Sequence, residues 1–278
     1  MKTWFITGAS RGFGALVAQL ALEDGDAVVA TAREPQSVKA ALGEHPNLLS
    51  VALDVTDEGQ ALVAVEQAIK RFGRIDVLLN NAGFGLLGAV EEATSTEIEA
   101  LYRTNVFGLL NVTRAVLPHM RAAGNGRVLN ISSIGGYRSG AGFGVYCSTK
   151  FAVEGLSEAL GAELKPLGIK VTIIEPGYFR TDFLDARSLS VSASRIADYD
   201  GTARLVREHA ASLSHRQPGD PAKLAKAIVT LAGSAHPPLR MPYGSDTVAA
   251  IETKNAFVAG ELAQWREVAV STDFTDGA

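Results

Sequence analysis

Cysteine is almost missing from this chain: Cys147 is the only one in 278 residues. That excludes an internal disulfide and any cysteine-rich metal site. A reducing compartment fits such usage, so a cytoplasmic protein is expected. Long apolar runs are missing too. No segment reaches the roughly 18 residues that a membrane span requires, and the stretch Trp4-Phe5-Ile6 is too short for a signal peptide. There is no dense Lys/Arg cluster, and the net charge is −4, so no electrostatic footprint for nucleic acid is present. The five histidines, at 45, 119, 209, 215 and 236, lack ligand spacing such as HExxH, and no metal is expected.

What remains is ordinary globular composition, 47% apolar and 20% charged. No linker, repeat or low-complexity tract interrupts it, so one domain over 1–278 is expected. The 28 glycines matter more, because they gather in short runs that follow apolar strands.

The first such run follows Trp4-Phe5-Ile6-Thr7 and reads Gly8-Ala9-Ser10-Arg11-Gly12-Phe13-Gly14 before a helical pattern begins at Ala15. Strand, glycine turn and helix make a phosphate cradle: glycine lets the backbone approach closely, and the helix start attracts an anion. A tight turn without a ligand is the plainer reading. The spacing is Gly-x3-Gly-x-Gly, which differs from the Gly-x-Gly-x2-Gly dinucleotide fingerprint. A second strand, Ala27 to Ala32, runs into Arg33 where dinucleotide folds often carry an acid. An arginine there accommodates a 2′-phosphate, which favours NADP(H) over NAD(H); the alternative is a solvated turn residue.

Further apolar strands are predicted at 48–53, 77–79, 127–131 and 170–174, with a seventh at 239–243 on the sheet edge, where Pro242 is tolerated. Strands of this kind alternating with helices predict an α/β fold of Rossmann type: a doubly wound, mostly parallel seven-stranded sheet with helices on both faces. Ligands bind such sheets beyond the carboxyl ends of the strands, where Asn80-Asn81-Ala82-Gly83, Ser132-Ser133 and Pro176-Gly177 fall. Asp57 or Thr56 is the expected cap of the helix beginning at Glu58. Thr94 to Glu97 forms a capping box for a helix running toward Pro118. Asn105 lies in its interior, either as a surface accident or as a fixed polar group. The βα rhythm lapses over 178–220, which is read as a substrate-binding lid with a helix near 202–213, or else as a surface insertion. An amphipathic helix is expected over roughly 247–268.

Tyr146 and Lys150 stand one helical turn apart, so both polar ends reach one cleft. An ammonium near a phenol favours phenolate, and Lys150 is expected to lower the Tyr146 pKa. Such a pair also occurs on helix surfaces by chance. Ser133 precedes Tyr146 by 13 residues, with flexible glycine turns between, so the hydroxyl and the phenol can meet at one substrate atom. Phe143, Tyr178, Phe179, Phe183 and Leu184 point to an apolar pocket, although core packing explains each equally well.

Together these motifs resemble the short-chain dehydrogenase/reductase family in its compact single-domain branch. Thr7 to Gly14 is similar to that family's TGxxxGxG loop, Asn80 to Gly83 to its NNAG, and Tyr146 to Lys150 to its YxxxK. The resemblance implies that Tyr146 gives a proton to a carbonyl oxygen or removes one from an alcohol. It implies that Ser133 binds that oxygen, that Lys150 tunes the phenol and holds the nicotinamide ribose, and that Asn105 helps hold a water in the proton relay. It places Gly8, Ser10, Arg11 and Phe13 at the phosphates and ribose, Asp54 and Val55 at the adenine, and Asn81, Ala82 and Gly83 at the middle of the cofactor. Pro176, Gly177, Phe179 and Thr181 fall at the nicotinamide end. The activity implied is an NADP(H)-dependent oxidoreductase acting on a hydrophobic ketone, aldehyde or alcohol, as a homodimer or homotetramer. A non-catalytic NADPH-binding regulator on the same fold is the alternative. The tail beyond Thr181 departs from the shortest members, and the region around Pro242 lacks their glycine-rich ending.

Overall fold

The computed structural model describes residues 1–274, so the last four of the expected domain lie outside the described residues. The chain opens with strand β1 (Thr3–Ile6), helix α1 (Gly12–Glu23), β2 (Ala27–Ala32), α2 (Pro35–Leu42), β3 (Leu48–Ala52), α3 (Glu58–Phe72) and β4 (Val77–Asn80). A short β5 (Gly85–Leu87) precedes α4 (Ser95–Tyr102), α5 (Leu109–Ala123), β6 (Gly126–Ile131), α6 (Gly144–Leu164) and β7 (Ile169–Pro176). Then come β8 (Leu189–Val191), α7 (Leu205–Leu213), α8 (Pro221–Gly233), β9 (Arg240–Tyr243) and α9 (Ser245–Val270).

Seven strands form one sheet in the order β3-β2-β1-β4-β6-β7-β9, and every pairing in it is parallel. Such strands are covered on both faces, and here Trp4, Phe5, Ile6, Leu78 and Leu79 are wholly buried. Each large apolar side chain of that kind contributes about 1.5–3 kcal/mol by leaving water. One core layer joins α1 and α8 to the sheet, and the other joins α3, α5 and part of α6. The chain winds outward from β1 in one direction and from β4 in the other. The topological switch point therefore lies between them, and the glycine loop and Asn81 to Gly83 both open there.

Local details follow the sequence in most places. Asp57 caps α3 by accepting from the Gln60 amide, and Thr94 with Glu97 makes the capping box of α4. Three expectations need correction. The helix aimed at Pro118 continues to Ala123, because Val112, Val116 and Met120 bury its inner face and packing outweighs the lost backbone N–H. Residues 178–220 are not free of sheet: β8 pairs in parallel with β5 as a separate two-stranded sheet. Finally, α9 is not amphipathic. Thr247 is its only buried residue, and Phe257, Val258, Leu262, Trp265 and Val268 stay exposed instead of being turned into the core.

No helix among the described residues is long and apolar enough to cross a membrane.

Candidate active site

One cavity of about 910 Å³ opens along the carboxyl edge of the sheet. Gly8, Ser10, Arg11, Phe13, Arg33, Asp54, Val55, Asn81, Ala82, Gly83, Ser133, Tyr146, Lys150, Pro176, Gly177, Phe179 and Thr181 all line it. Of the residues singled out from sequence, Asn105 alone is missing from its wall.

The glycine loop is shaped by backbone demands. Gly8 and Gly12 have φ of +64° and +56°, a region other residues rarely adopt. A Cβ on Gly14 would lie 2.5 Å from the Gly8 carbonyl and 2.6 Å from Asn81 Nδ2, so only glycine lets α1 start this close to the loop. Thr7 locks the loop to the end of β4: its Oγ1 accepts from the Asn81 and Ala82 amides at 2.9 and 3.0 Å. Asn81 Nδ2 returns the contact by donating to the Thr7 and Gly8 carbonyls at 2.9 and 3.0 Å. No side chain caps the N-terminus of α1, which leaves its first amides available to an anion.

Two cations border this end. Arg33 is exposed and makes no hydrogen bond or ion pair among the described residues. Arg11 is engaged: its Nη2 donates to the Arg187 carbonyl at 2.8 Å and to Ser188 Oγ at 3.0 Å. Asp54 is held by its own turn, accepting from the Thr56 amide at 2.9 Å.

At the other end Tyr146 is buried between two rings, with centroids 6.1 Å from Phe143 and 5.5 Å from Phe183. Burial pushes its pKa well above the ordinary value, and the nearby Ser133 hydroxyl is the one influence that lowers it. The expected lowering by Lys150 is not found. Lys150 Nζ sits 5.9 Å from the phenol ring centroid and donates instead to the Ile131 carbonyl at 2.9 Å. Burial pulls the Lys150 pKa down to about 8, and the Glu154 carboxylate opposes that fall.

Asn105 proves to be a fixed polar group and not a surface residue. It is buried in a π-helical turn, 103–108, between α4 and α5. Its Oδ1 accepts from the Phe84 amide at 3.0 Å, and its Nδ2 donates to the Phe84 carbonyl at 2.9 Å and to Thr149 Oγ1 at 3.1 Å. The side chain thus ties the segment after β4 to α6, one residue from Lys150. A π-turn often marks a functional position, and this one re-aims the amide inward. Cys147 is buried as a small packed residue, with its thiol pKa raised by burial.

Residues 178–220 leave and rejoin the body at one point, where Gly219 N donates to the Tyr178 carbonyl and Arg180 N to the Gly219 carbonyl, both at 2.9 Å. Their far side is anchored by a buried pair, Arg207 Nη1 to Glu92 Oε2 at 2.6 Å. Glu92 also accepts from the Ala89 and Ile196 amides, and the Arg207 hydrogen bond leads in holding its pKa down to about 2.

Sequence reasoning missed the Ile131 carbonyl, the Thr7 hydroxyl and Glu92. A backbone acceptor carries no sequence signal. The Thr of the glycine motif and the acid at position 92 were legible but had no stated partner.

The family model for short chain dehydrogenases matches residues 2–190. The chain is 42% identical over 240 residues to a 3-ketodihydrosphingosine reductase of Bacteroides thetaiotaomicron, covering 86% of each protein. A short-chain dehydrogenase structure from Streptomyces avermitilis superposes with a TM-score of 0.91 at 42% identity, covering 98% of this chain and 99% of that one. Two structures at 28% identity and TM-score 0.74 hold nucleotides: a 3-ketoacyl-(acyl-carrier-protein) reductase from Brucella melitensis with NADH, covering 87% of this chain and 96% of its own, and ElxO with NADP, covering 89% and 99%. On the matched motifs, the shared fold and these identities, the chain belongs to the short-chain dehydrogenase/reductase family.

Proposed function

We propose that this oxidoreductase uses NADP(H) to interconvert a hydrophobic ketone or aldehyde and its alcohol. The observation that carries the reading is the phenol of Tyr146, buried between Phe143 and Phe183 with the Ser133 hydroxyl near it. A phenol whose pKa is raised by burial keeps its proton at neutral pH, and therefore suits the donor role in carbonyl reduction. The Ser133 hydroxyl, which lines the same cavity beside the phenol, would donate to the carbonyl oxygen and orient it. Lys150 adds positive charge beside that oxygen as negative charge develops on it.

The chain's own features fit the cofactor. The positive-φ loop, the uncapped start of α1 and the unpaired Arg33 meet the demands of a dinucleotide with a 2′-phosphate. Bound NADP(H) supplies or accepts the hydride. Arg33 would take the 2′-phosphate, Asp54 and Val55 the adenine, and Asn81 to Gly83 the middle of the molecule. Pro176, Gly177, Phe179 and Thr181 would enclose the nicotinamide end. Residues 178–220 would serve as the lid that excludes water, with Phe183, Leu184, Leu205 and Val206 giving the cavity an apolar lining. The similar protein named a 3-ketodihydrosphingosine reductase supports a keto substrate.

A panel of alkyl and aryl ketones, with NADPH consumption followed by absorbance, tests this. Turnover of hydrophobic members is expected; no turnover of any ketone or aldehyde would favour a non-catalytic NADPH-binding protein.

A further inference from the structure

Behind Lys150, away from the cavity, lies a cluster of charged side chains that the reaction as described does not use. Glu154 follows Lys150 by one turn on the same face of α6, and both are buried. Arg240 on β9 reaches into the cluster, its Nη1 shared between Glu154 Oε2 and Glu175 Oε1, the latter at 2.7 Å. Its Nη2 donates to Glu158 Oε1 at 2.7 Å, at the half-exposed edge. The Tyr137 ring lies under the guanidinium at 5.6 Å, and Tyr137 Oη in turn bonds Asn255 on α9. On the β6 side, Ser132 Oγ and Glu154 Oε1 are both without an assigned hydrogen-bond partner. A Cβ on Gly136 would fall 2.5 and 2.8 Å from those two atoms, so glycine leaves them facing each other across a small gap.

The charges do not balance without Lys150. Glu154 and Glu175 are two buried carboxylates on one guanidinium, whereas Glu158 is solvated. With Lys150 as an ammonium, two cations meet two carboxylates; with Lys150 neutral, the buried group carries an excess negative charge. A buried uncompensated charge is strongly disfavoured, so the cluster and the lysine hold each other ionised. Lys150 itself has no carboxylate hydrogen-bonded to it, only the Ile131 carbonyl.

We propose that Glu154 is a positioning residue for the reaction, the counter-charge that keeps Lys150 an ammonium at the pH where Tyr146 works. The proposal rests on the reductase reading for its catalytic consequence, but not for its physical content. Burial lifts the Glu154 pKa to about 7, with the neighbouring Glu175 adding to the rise, while the Ser132 hydroxyl and Arg240 pull against it. Glu154 therefore loses its proton below the pH at which Lys150 gives up its own, and faces it as a carboxylate there.

The test reads Lys150 directly, without substrate or cofactor. In protein labelled with 13C at lysine Cε, the Lys150 resonance is assigned by its loss in Lys150→Met and followed against pH. The wild-type midpoint is expected near pH 8. Glu154→Gln is expected to lower it by about one pH unit, the scale of a single opposite charge at this range. Glu158→Gln, which touches the same guanidinium from the solvent side, is expected to leave it in place. If Glu154→Gln does not fold, Ser132→Ala carries the test, since it removes the hydroxyl that faces the carboxylate and is expected to move the midpoint the same way. A midpoint unchanged in Glu154→Gln, or in Ser132→Ala where that variant stands in, overturns the proposal. In turnover, Glu154→Gln is expected to bring the alkaline fall in kcat to lower pH with little change in substrate KM. A shifted lysine midpoint with no ketone turnover in any variant would leave the charge pairing standing and refute the reductase reading instead.

Discussion

Arg33→Ala is expected to strip the preference for NADPH while sparing NADH. Arg33 stands exposed just after β2 with no acidic partner among the described residues, whereas Arg11 is already committed to the Arg187 carbonyl and Ser188 Oγ. If NADP(H) is the cofactor, as proposed, selectivity falls mainly to Arg33. Unit charges about 4 Å apart attract by roughly 1 kcal/mol in bulk water and roughly 4 kcal/mol near a protein surface. For an exposed guanidinium, and a phosphate carrying nearly two charges, about 2 kcal/mol is reasonable, or roughly thirtyfold in affinity. The assay is dissociation-constant measurement for NADPH and NADH by nucleotide fluorescence, with both variants at low and high salt. NADPH binding should weaken by about thirtyfold, NADH binding by less than about threefold, and the NADPH loss should shrink as salt screens the pair. Equal weakening of both nucleotides would remove the 2′-phosphate role from Arg33 and, with it, the argument for NADP(H).

Two further outcomes follow from buried charges. Lys150 titrates near pH 8, so ketone reduction at saturating substrate should decline above that pH, by about tenfold per unit where the ammonium is required; a flat profile to pH 10 would deny it that role. Arg207→Met leaves Glu92 buried and unpaired, a cost of about 3–5 kcal/mol that thermal or urea unfolding would register, and an unchanged midpoint would mean that the pair anchors nothing. The Glu92 pKa in the folded protein, about 2, lies below its ordinary 4.5, so the pairing stabilises fully above pH 4.5 and is lost as the pH falls from there toward 2.

The sheet was legible because its signal is repeated: each strand is a short apolar run ended by glycine or a small polar residue, and parallel order follows from the helices between. Tyr146, Lys150 and Ser133 were legible by spacing once the fold was granted. The Tyr146 pKa was not, since the sequence places an ammonium one turn away but does not say that Nζ turns to the Ile131 carbonyl or that two aromatic rings bury the phenol. The π-turn at Asn105 escaped for a similar reason, because nothing in Arg103 to Gly108 marks one extra residue in a helix. The cluster on Arg240 joins residues 86 and 65 positions apart in the chain: the pairing of β7 with β9 brings Glu175 to Arg240, and Glu154 reaches it from α6. The sequence reads as an amphipathic helix at α9, but its apolar residues Phe257, Val258, Leu262, Trp265 and Val268 stay exposed, which sequence pattern alone does not reveal.

The central claim is that Tyr146 donates the proton in carbonyl reduction, and Tyr146→Phe tests it with one hydroxyl removed. The ring still fills the space between Phe143 and Phe183, so the cavity and NADPH affinity should persist. Single-turnover reduction of a ketone accepted by the wild type, monitored by NADPH absorbance, should fall by at least about a hundredfold, the lower end for a lost general acid. Reduction at the wild-type rate, with NADPH bound as tightly as before, would contradict the account.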